Sequence, residues 1–337
     1  MIKENAGRGS ILIIVIWTLF MLTSFALVLS EVIRQKIALV SRIQDRNKLH
    51  YICDAGAKKA IAALKNREQK NFYSFGDSIC DNPAIFSNIR AGDGFASVSY
   101  EYFDEISASR VTKYGLIDEE RKININRADE NTLERLFRIL LRMDEKDAQE
   151  LAYAVVDWRD SDNITNNLIG GAEDSYYTGL PRPYEAKDAD LQVPEEIILI
   201  RGMNKEIYEK IKDYVTIYGE GRVNVNTASR VALLAVGLSQ EMADKVITFR
   251  CGEDGIPGTS DDNVFETVSG IAPLLSRSFD LSPSQLAQIS EVAADRLGVA
   301  SGNFTIISRG SINNRKVTQA ATCVVNKDAQ ILYWRES

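Results

Sequence analysis

The chain has 337 residues, 45% of them hydrophobic and 26% charged, enough to bury one large core or two moderate ones and too apolar for a disordered protein. Its net charge of −7 argues against a nucleic-acid-binding body, because phosphate neutralisation needs a basic surface. One histidine, His50, and four cysteines with no CxxC pair leave no zinc-ribbon or thioredoxin pattern and a single candidate for a His-based triad.

The N-terminus reads MIKENAGRG, after which charge disappears: residues 10–30 carry no ionisable side chain. About 20 helical residues span roughly 30 Å, enough for a bilayer core. Lys3 and Arg8 precede the span, so the positive-inside tendency puts the short leader in the cytoplasm and everything after Glu31 outside. The apolar run is longer than a secretory signal's and lacks its small-x-small cleavage site. Val32, Ile33, Ile37, Val40 and Ile43, then Ile52, Gly56, Ala60 and Leu64, continue at helical spacing. They predict one helix of more than fifty residues that starts in lipid and ends on a soluble core. In an exported chain Cys53 and Cys80 are the nearest candidates for a disulfide, with Cys251 and Cys323 left over.

This combination resembles the type IV pilin and pseudopilin superfamily. The resemblance implies cleavage by prepilin peptidase between Gly9 and Ser10, with Ser10 becoming a methylated N-terminus. Members of that superfamily usually carry Glu at the fifth mature position, and here it is Ile14. A carboxylate in lipid is costly unless a neighbouring subunit's amine pairs with it, so its loss suits a subunit at a filament tip.

Beyond the helix, residues 96–103 (ASVSYEYF) and 110–117 read as strands, as do 303–309, 316–325 and 330–334, with a turn at 311–314. Between them lie roughly 160 residues of helical character, on the order of a whole domain. The expected fold is α+β: a pilin-like N-terminal helix on a small antiparallel sheet, with a large inserted α-helical domain. The expected boundaries are 1–9 for the leader, 10–30 for the membrane segment, 31–126 and 299–337 for the core, and 127–298 for the insertion. Within it Lys122-Ile-Asn-Ile-Asn-Arg-Ala128 recurs as Arg222-Val-Asn-Val-Asn-Thr-Ala228, each before a helical run that its polar cluster could cap. Residues 197–211 and 233–249 read as helix pairs turning at Gly202 and Gly237 and resemble helix-hairpin-helix modules. Each turn lacks the second glycine of the DNA-binding form, and Glu206, Glu209, Glu241 and Asp244 stand close by, which favours packing over phosphate binding.

The leader, the two repeats, Val156-Asp-Trp-Arg-Asp160, Gly170-Gly-Ala-Glu-Asp-Ser-Tyr-Tyr177 and Ile331-Leu-Tyr-Trp-Arg-Glu336 together resemble the general secretion pathway protein K family, the minor pseudopilin K of type II secretion systems. The resemblance implies association with minor pseudopilins I and J at the tip of the periplasmic pseudopilus. It also implies an inner-membrane anchor, a periplasmic body, and structural calcium in the insertion. Asp160, Asp162, Glu173 and Asp174 are the leading ligand candidates, since clustered carboxylates repel unless a cation screens them and calcium takes several oxygens. Glu253, Asp254, Asp261 and Asp262, in a glycine-flanked loop without EF-hand spacing, form a second set. The alternative is a pilin-like, competence-type DNA-binding subunit. No paired nucleophile and base or cofactor fingerprint points to an enzyme.

Overall fold

The computed structural model describes residues 8–68, 70–165, 171–312 and 315–337. Residues 1–7 of the leader, Gly170 of the double-glycine motif and the Asn313-Asn314 turn lie outside the described residues.

Helix α1 (Arg8–Lys65) runs unbroken for 58 residues, about 87 Å at 1.5 Å per residue. Its first part is apolar on every side and exposed, from Ile11 to Leu29, and is long and apolar enough to cross a membrane. Its last part buries Leu49, Ile52, Cys53, Ala57, Ala60 and Leu64. Two glycines set the closeness of that contact. A Cβ on Gly56 would lie 2.2 Å from Ser308 Oγ and 2.9 Å from Ala96 Cβ, and one on Gly310 would lie 2.9 Å from Cys53 Sγ. Helix and sheet therefore meet backbone to backbone, which larger residues would forbid.

After a short α2 (Pro83–Phe86), β1 (Ile89–Ala91) and β2 (Gly94–Val98) form a hairpin. The run read as one strand at 96–103 is two. Beyond Val98 the chain leaves the sheet, and β3 (Tyr100–Asp104) pairs with β4 (Ser109–Lys113) as a separate hairpin. The predicted 110–117 strand likewise splits, with β5 (Ile117–Asp118) joining the main sheet. Gly115, where it breaks, admits no Cβ: one would lie 2.3 Å from the Ile79 and Cys80 carbonyls.

The echo seen in the sequence becomes two copies of one layout. In the first, β6 (Ile123–Asn124) leads to α3 (Glu130–Leu141), α4 (Glu145–Arg159), α5 (Asp174–Tyr177), a 3-10 turn (Pro194–Leu199), α6 (Lys205–Ile211) and β7 (Val215–Thr216). In the second, β8 (Val223–Asn224) leads to α7 (Arg230–Ala235), α8 (Gln240–Arg250), a 3-10 turn (Val268–Gly270), α9 (Ile271–Ser278), α10 (Pro283–Asp295) and β9 (Leu297–Gly298). Each copy closes by parallel pairing of its first strand with its last, β6 with β7 and β8 with β9.

The chain ends with β10 (Asn303–Ile312), β11 (Arg315–Asn326) and β12 (Ile331–Glu336). Among the described residues the main sheet has the order β1-β2-β10-β11-β12, with β5 also on β10. The buried hydrophobics form two clusters. One gathers α1, the sheet and the β3–β4 hairpin, and the other runs from Ile123 to Val299 through both copies. All four cysteines are buried free thiols, so the Cys53–Cys80 disulfide is not formed. Cys53 donates to the Gln319 carbonyl beneath α1, whereas Cys80 packs against the Tyr100 hydroxyl.

Candidate functional site

The two acidic loops occupy equivalent places: each follows the second helix of its copy. Asp160 is the residue after α4 and Cys251 the residue after α8. The last helical residue is arginine in both, and it reaches back to the same turn. Arg159 donates to the carbonyls of Ile125 and Ala128, and Arg250 to those of Val225 and Ala228, the latter at 3.1 and 2.6 Å. These contacts fix where each loop begins.

In the first loop one carboxylate oxygen each of Asp160, Asp162 and Glu173 lies within 4.8 Å of the others. Glu173 is only 2% exposed, and among the described residues neither of its carboxyl oxygens meets a hydrogen-bond donor. Burial, then the carboxylates of Asp157, Asp160, Asp188 and Asp162, push it up to about 7. Asp157 is fully buried on the last turn of α4. The fourth predicted ligand, Asp174, is not part of the cluster: its Oδ1 accepts the Ala186 amide at 2.8 Å and ties down the following segment.

Asp188 joins the site from a distance the sequence did not mark. It takes a left-handed backbone, φ 51°, uncommon for a residue with a side chain, while its amide donates to the Trp158 carbonyl at 3.1 Å. Among the described residues, Arg159 donates to the carbonyls named above, and Arg201 to the Gly171 carbonyl while lying over the Tyr176 ring. Several carboxylates round a buried acceptor-only Glu173 suit a hard cation with oxygen ligands.

The second loop is organised differently. Asp261 accepts the amides of Glu253 and Asp254 at 2.7 and 3.1 Å and the Thr259 hydroxyl at 2.6 Å. Thr259, then those amides, hold Asp261 down to about 2. Asp262 accepts the Gly258 amide, and Asp254 that of Ile256. Gly252 sits at φ +63°, where a Cβ would be 2.4 Å from Asp261. Glu253 is exposed. The carboxylates here brace their own loop, which docks on the β3–β4 hairpin through Lys113 Nζ to the Pro257 carbonyl at 3.2 Å.

The helix pairs are packed inward at their turns. Around Gly237 the carbonyls of Ala235, Val236 and Gly237 accept Arg135, Arg296 and Gln288. The first predicted pair opens with a 3-10 turn in place of an α-helix. A third pair, α3 and α4, escaped notice because its left-handed turn residue is Arg142, φ 55°, where a glycine is usual.

The model for type II secretion system protein K matches residues 115–220. Curated proteins of that name are similar to this chain: one from Aeromonas hydrophila is 31% identical over 34% of this chain and 38% of its own. One from Pectobacterium carotovorum subsp. carotovorum is 24% identical over 66% of each. The chain thus matches less than two thirds of the length of these relatives. The fold is similar to that in the crystal structure of the GspK-GspI-GspJ complex from the enterotoxigenic Escherichia coli type 2 secretion system, with TM-score 0.62 and 19% identity, covering 89% of this chain and 99% of that one. Domain, like-named relatives and fold agree: residues 115–220 match the type II secretion system protein K domain, and the chain is similar to proteins of that name.

Proposed function

We propose that this protein is a minor pseudopilin: a structural, non-catalytic subunit that assembles with I-like and J-like pseudopilins at the tip of a type II secretion pseudopilus. The observation that carries the reading is the continuity of α1, exposed and apolar from Ile11 to Leu29 and locked to the sheet from Leu49 onward. Such a helix transmits the position of its lipid end to the body. The name of the complex that supplies the similar fold supports the choice of partners.

The anchor lies in the inner membrane and the body in the periplasm, with residues 1–9 removed by prepilin peptidase and Ser10 methylated. Residues 127–298 form the inserted unit, and its bulk is easiest to place where no subunit sits above. DNA binding has less support, because turn amides of the α7–α8 pair that could meet phosphate are spent inside the chain, Gly237 on the Leu234 carbonyl and Leu238 on the Leu233 carbonyl.

Calcium is the proposed resident ion. Asp160, Asp162 and Glu173 would hold it, with Asp157 and Asp188 adding negative charge; bound there, it would supply charge neutralisation. Glu253, Asp254, Asp261 and Asp262 are the second candidate set, in a loop already braced by its own amides.

Co-purification tests the assembly. Co-expressed with the I-like and J-like pseudopilins of its own genome, the full chain is expected to elute with both. Recovery of the chain alone, with the other two well folded, would overturn the reading.

A further inference from the structure

We propose that Asp118 and Glu120 hold one proton between them and form a pH-sensitive clasp joining the sheet to both copies of the repeat. Residues 118–120 are three consecutive acids, Asp118-Glu119-Glu120, where the chain passes from β5 into the first copy. Asp118 and Glu119 are each 3% exposed. Every one of the three is held from more than one side.

Asp118 Oδ2 accepts Asn224 Nδ2 at 3.0 Å and the Thr227 hydroxyl at 2.5 Å, both from the second copy. Its Oδ1 accepts the Glu120 amide at 2.9 Å. Glu119 accepts Lys122 Nζ at 2.6 Å and Thr216 Oγ1 at 2.6 Å from the first copy, and Thr305 Oγ1 at 2.7 Å from β10. The two carboxyl oxygens of Glu120 accept the side chain and amide of Asn303 at 2.8 and 3.1 Å, and its carbonyl accepts the Asn224 amide at 2.7 Å. Gly219 closes over it: a Cβ there would be 2.9 Å from Oε1.

The charge balance explains the proton. Lys122 is the cation in contact with the three acids, and it is spent on Glu119. Burial pushes Glu119 up, but Lys122, Thr216 and Thr305 outweigh it and bring the carboxyl below its usual range. The other titratable neighbours, Tyr73 beside Asp118 and Tyr218 beside Glu119, have their own hydroxyls pushed up by burial and then by the surrounding charge; they supply no positive charge. The Glu120 amide donates to Asp118 Oδ1 at 2.9 Å, which holds the two residues together in one tight turn, and two neighbouring carboxylates shielded from water cannot both ionise at low cost. Burial, then the Asp118 charge, push Glu120 up to about 8, and burial raises Asp118 as well.

The sign follows. An acid whose folded pKa lies above its unfolded value favours folding fully below the unfolded value, near 4.5, and loses that contribution as pH rises through about 8. As the proton leaves for solvent, a buried and a half-buried carboxylate remain at the point where sheet, first copy and second copy meet.

Amide exchange of the full-length protein in detergent micelles, corrected for intrinsic rates, tests the clasp. Glu173→Gln serves as background, so that the carboxyl pushed up to about 7 there does not titrate in the same window. The opening constants at Asn224 and Asn303 should rise by up to tenfold per pH unit from about pH 5 to 8 and then level. Adding Glu120→Gln, which copies the protonated form, should flatten that rise. Asp118→Asn should do the same if the Gln variant fails to fold. A flat profile in the background protein, or a rise that survives either substitution, overturns the proposal.

Discussion

Asn226 holds Phe265 by both atoms of its amide: Oδ1 accepts the Phe265 amide at 2.9 Å and Nδ2 donates to the Phe265 carbonyl at 3.0 Å. Asn126 makes the same exchange with Leu191, at 2.9 and 3.0 Å. The preceding asparagines, Asn124 and Asn224, turn their Oδ1 onto the amides of Asn126 and Asn226. The repeated N-x-N therefore serves as a backbone clamp in each copy. Helix capping falls to Asp129 and Ser229.

Truncating a clamp leaves buried backbone groups unpaired, which costs about 1–3 kcal/mol. Asn226→Ala should lower stability in urea titration by about that amount, and Asn226→Asp by more, because a carboxylate cannot donate to the Phe265 carbonyl. A loss under about 0.5 kcal/mol for both would mean the clamp is incidental.

The contact between Gly56 and Ser308 should tolerate no side chain. Gly→Ala in a helix ordinarily gains up to about 1 kcal/mol, yet here the new Cβ would sit 2.2 Å from Ser308 Oγ. Gly56→Val should therefore cost about 1–3 kcal/mol of overpacking. Ser308→Gly should recover part of it, although Ala96 Cβ still crowds the site at 2.9 Å. A neutral Gly56→Val would show that α1 does not lie this close to the sheet.

Calcium at the first loop should raise thermal stability. At a hundred times its Kd the gain is about 2.7 kcal/mol. Glu173→Gln should abolish it, whereas Asp174→Asn, which keeps an oxygen for the Ala186 amide, should retain most of it. Titration calorimetry and thermal melts check both. Equal loss in the two variants would contradict the ligand set.

Much of the fold was legible in the sequence, because its signals were long or repeated. An uncharged stretch flowing into a helical pattern needs no tertiary knowledge, and N-x-N at a spacing of a hundred residues is visible by eye. What escaped detection depends on distant neighbours. Residues 96–103 look like one strand, yet the chain leaves the sheet so that Tyr100 is buried against Cys80 and Tyr102 beside Phe75 and under Lys113. Asp188 joins the acidic cluster only because the chain returns past Trp158, and Asp174 leaves it because a backbone amide claims its carboxylate first. The three acids at 118–120 resemble an exposed turn until Asn224, Asn303 and Thr305 are folded over them.

The central claim, that α1 joins this body to neighbouring pseudopilin helices, is most directly tested by cross-linking in cells. Single cysteines at Ile37 and Ile43, exposed on α1 between the apolar segment and the sheet, would be paired with cysteines along the N-terminal helix of the I-like pseudopilin, with Cys53 replaced by Ala to remove the thiol nearest in sequence. The account predicts disulfide-linked heterodimers that depend on position and on prepilin peptidase. Efficient linkage only between copies of this chain, or none at any position, would contradict it.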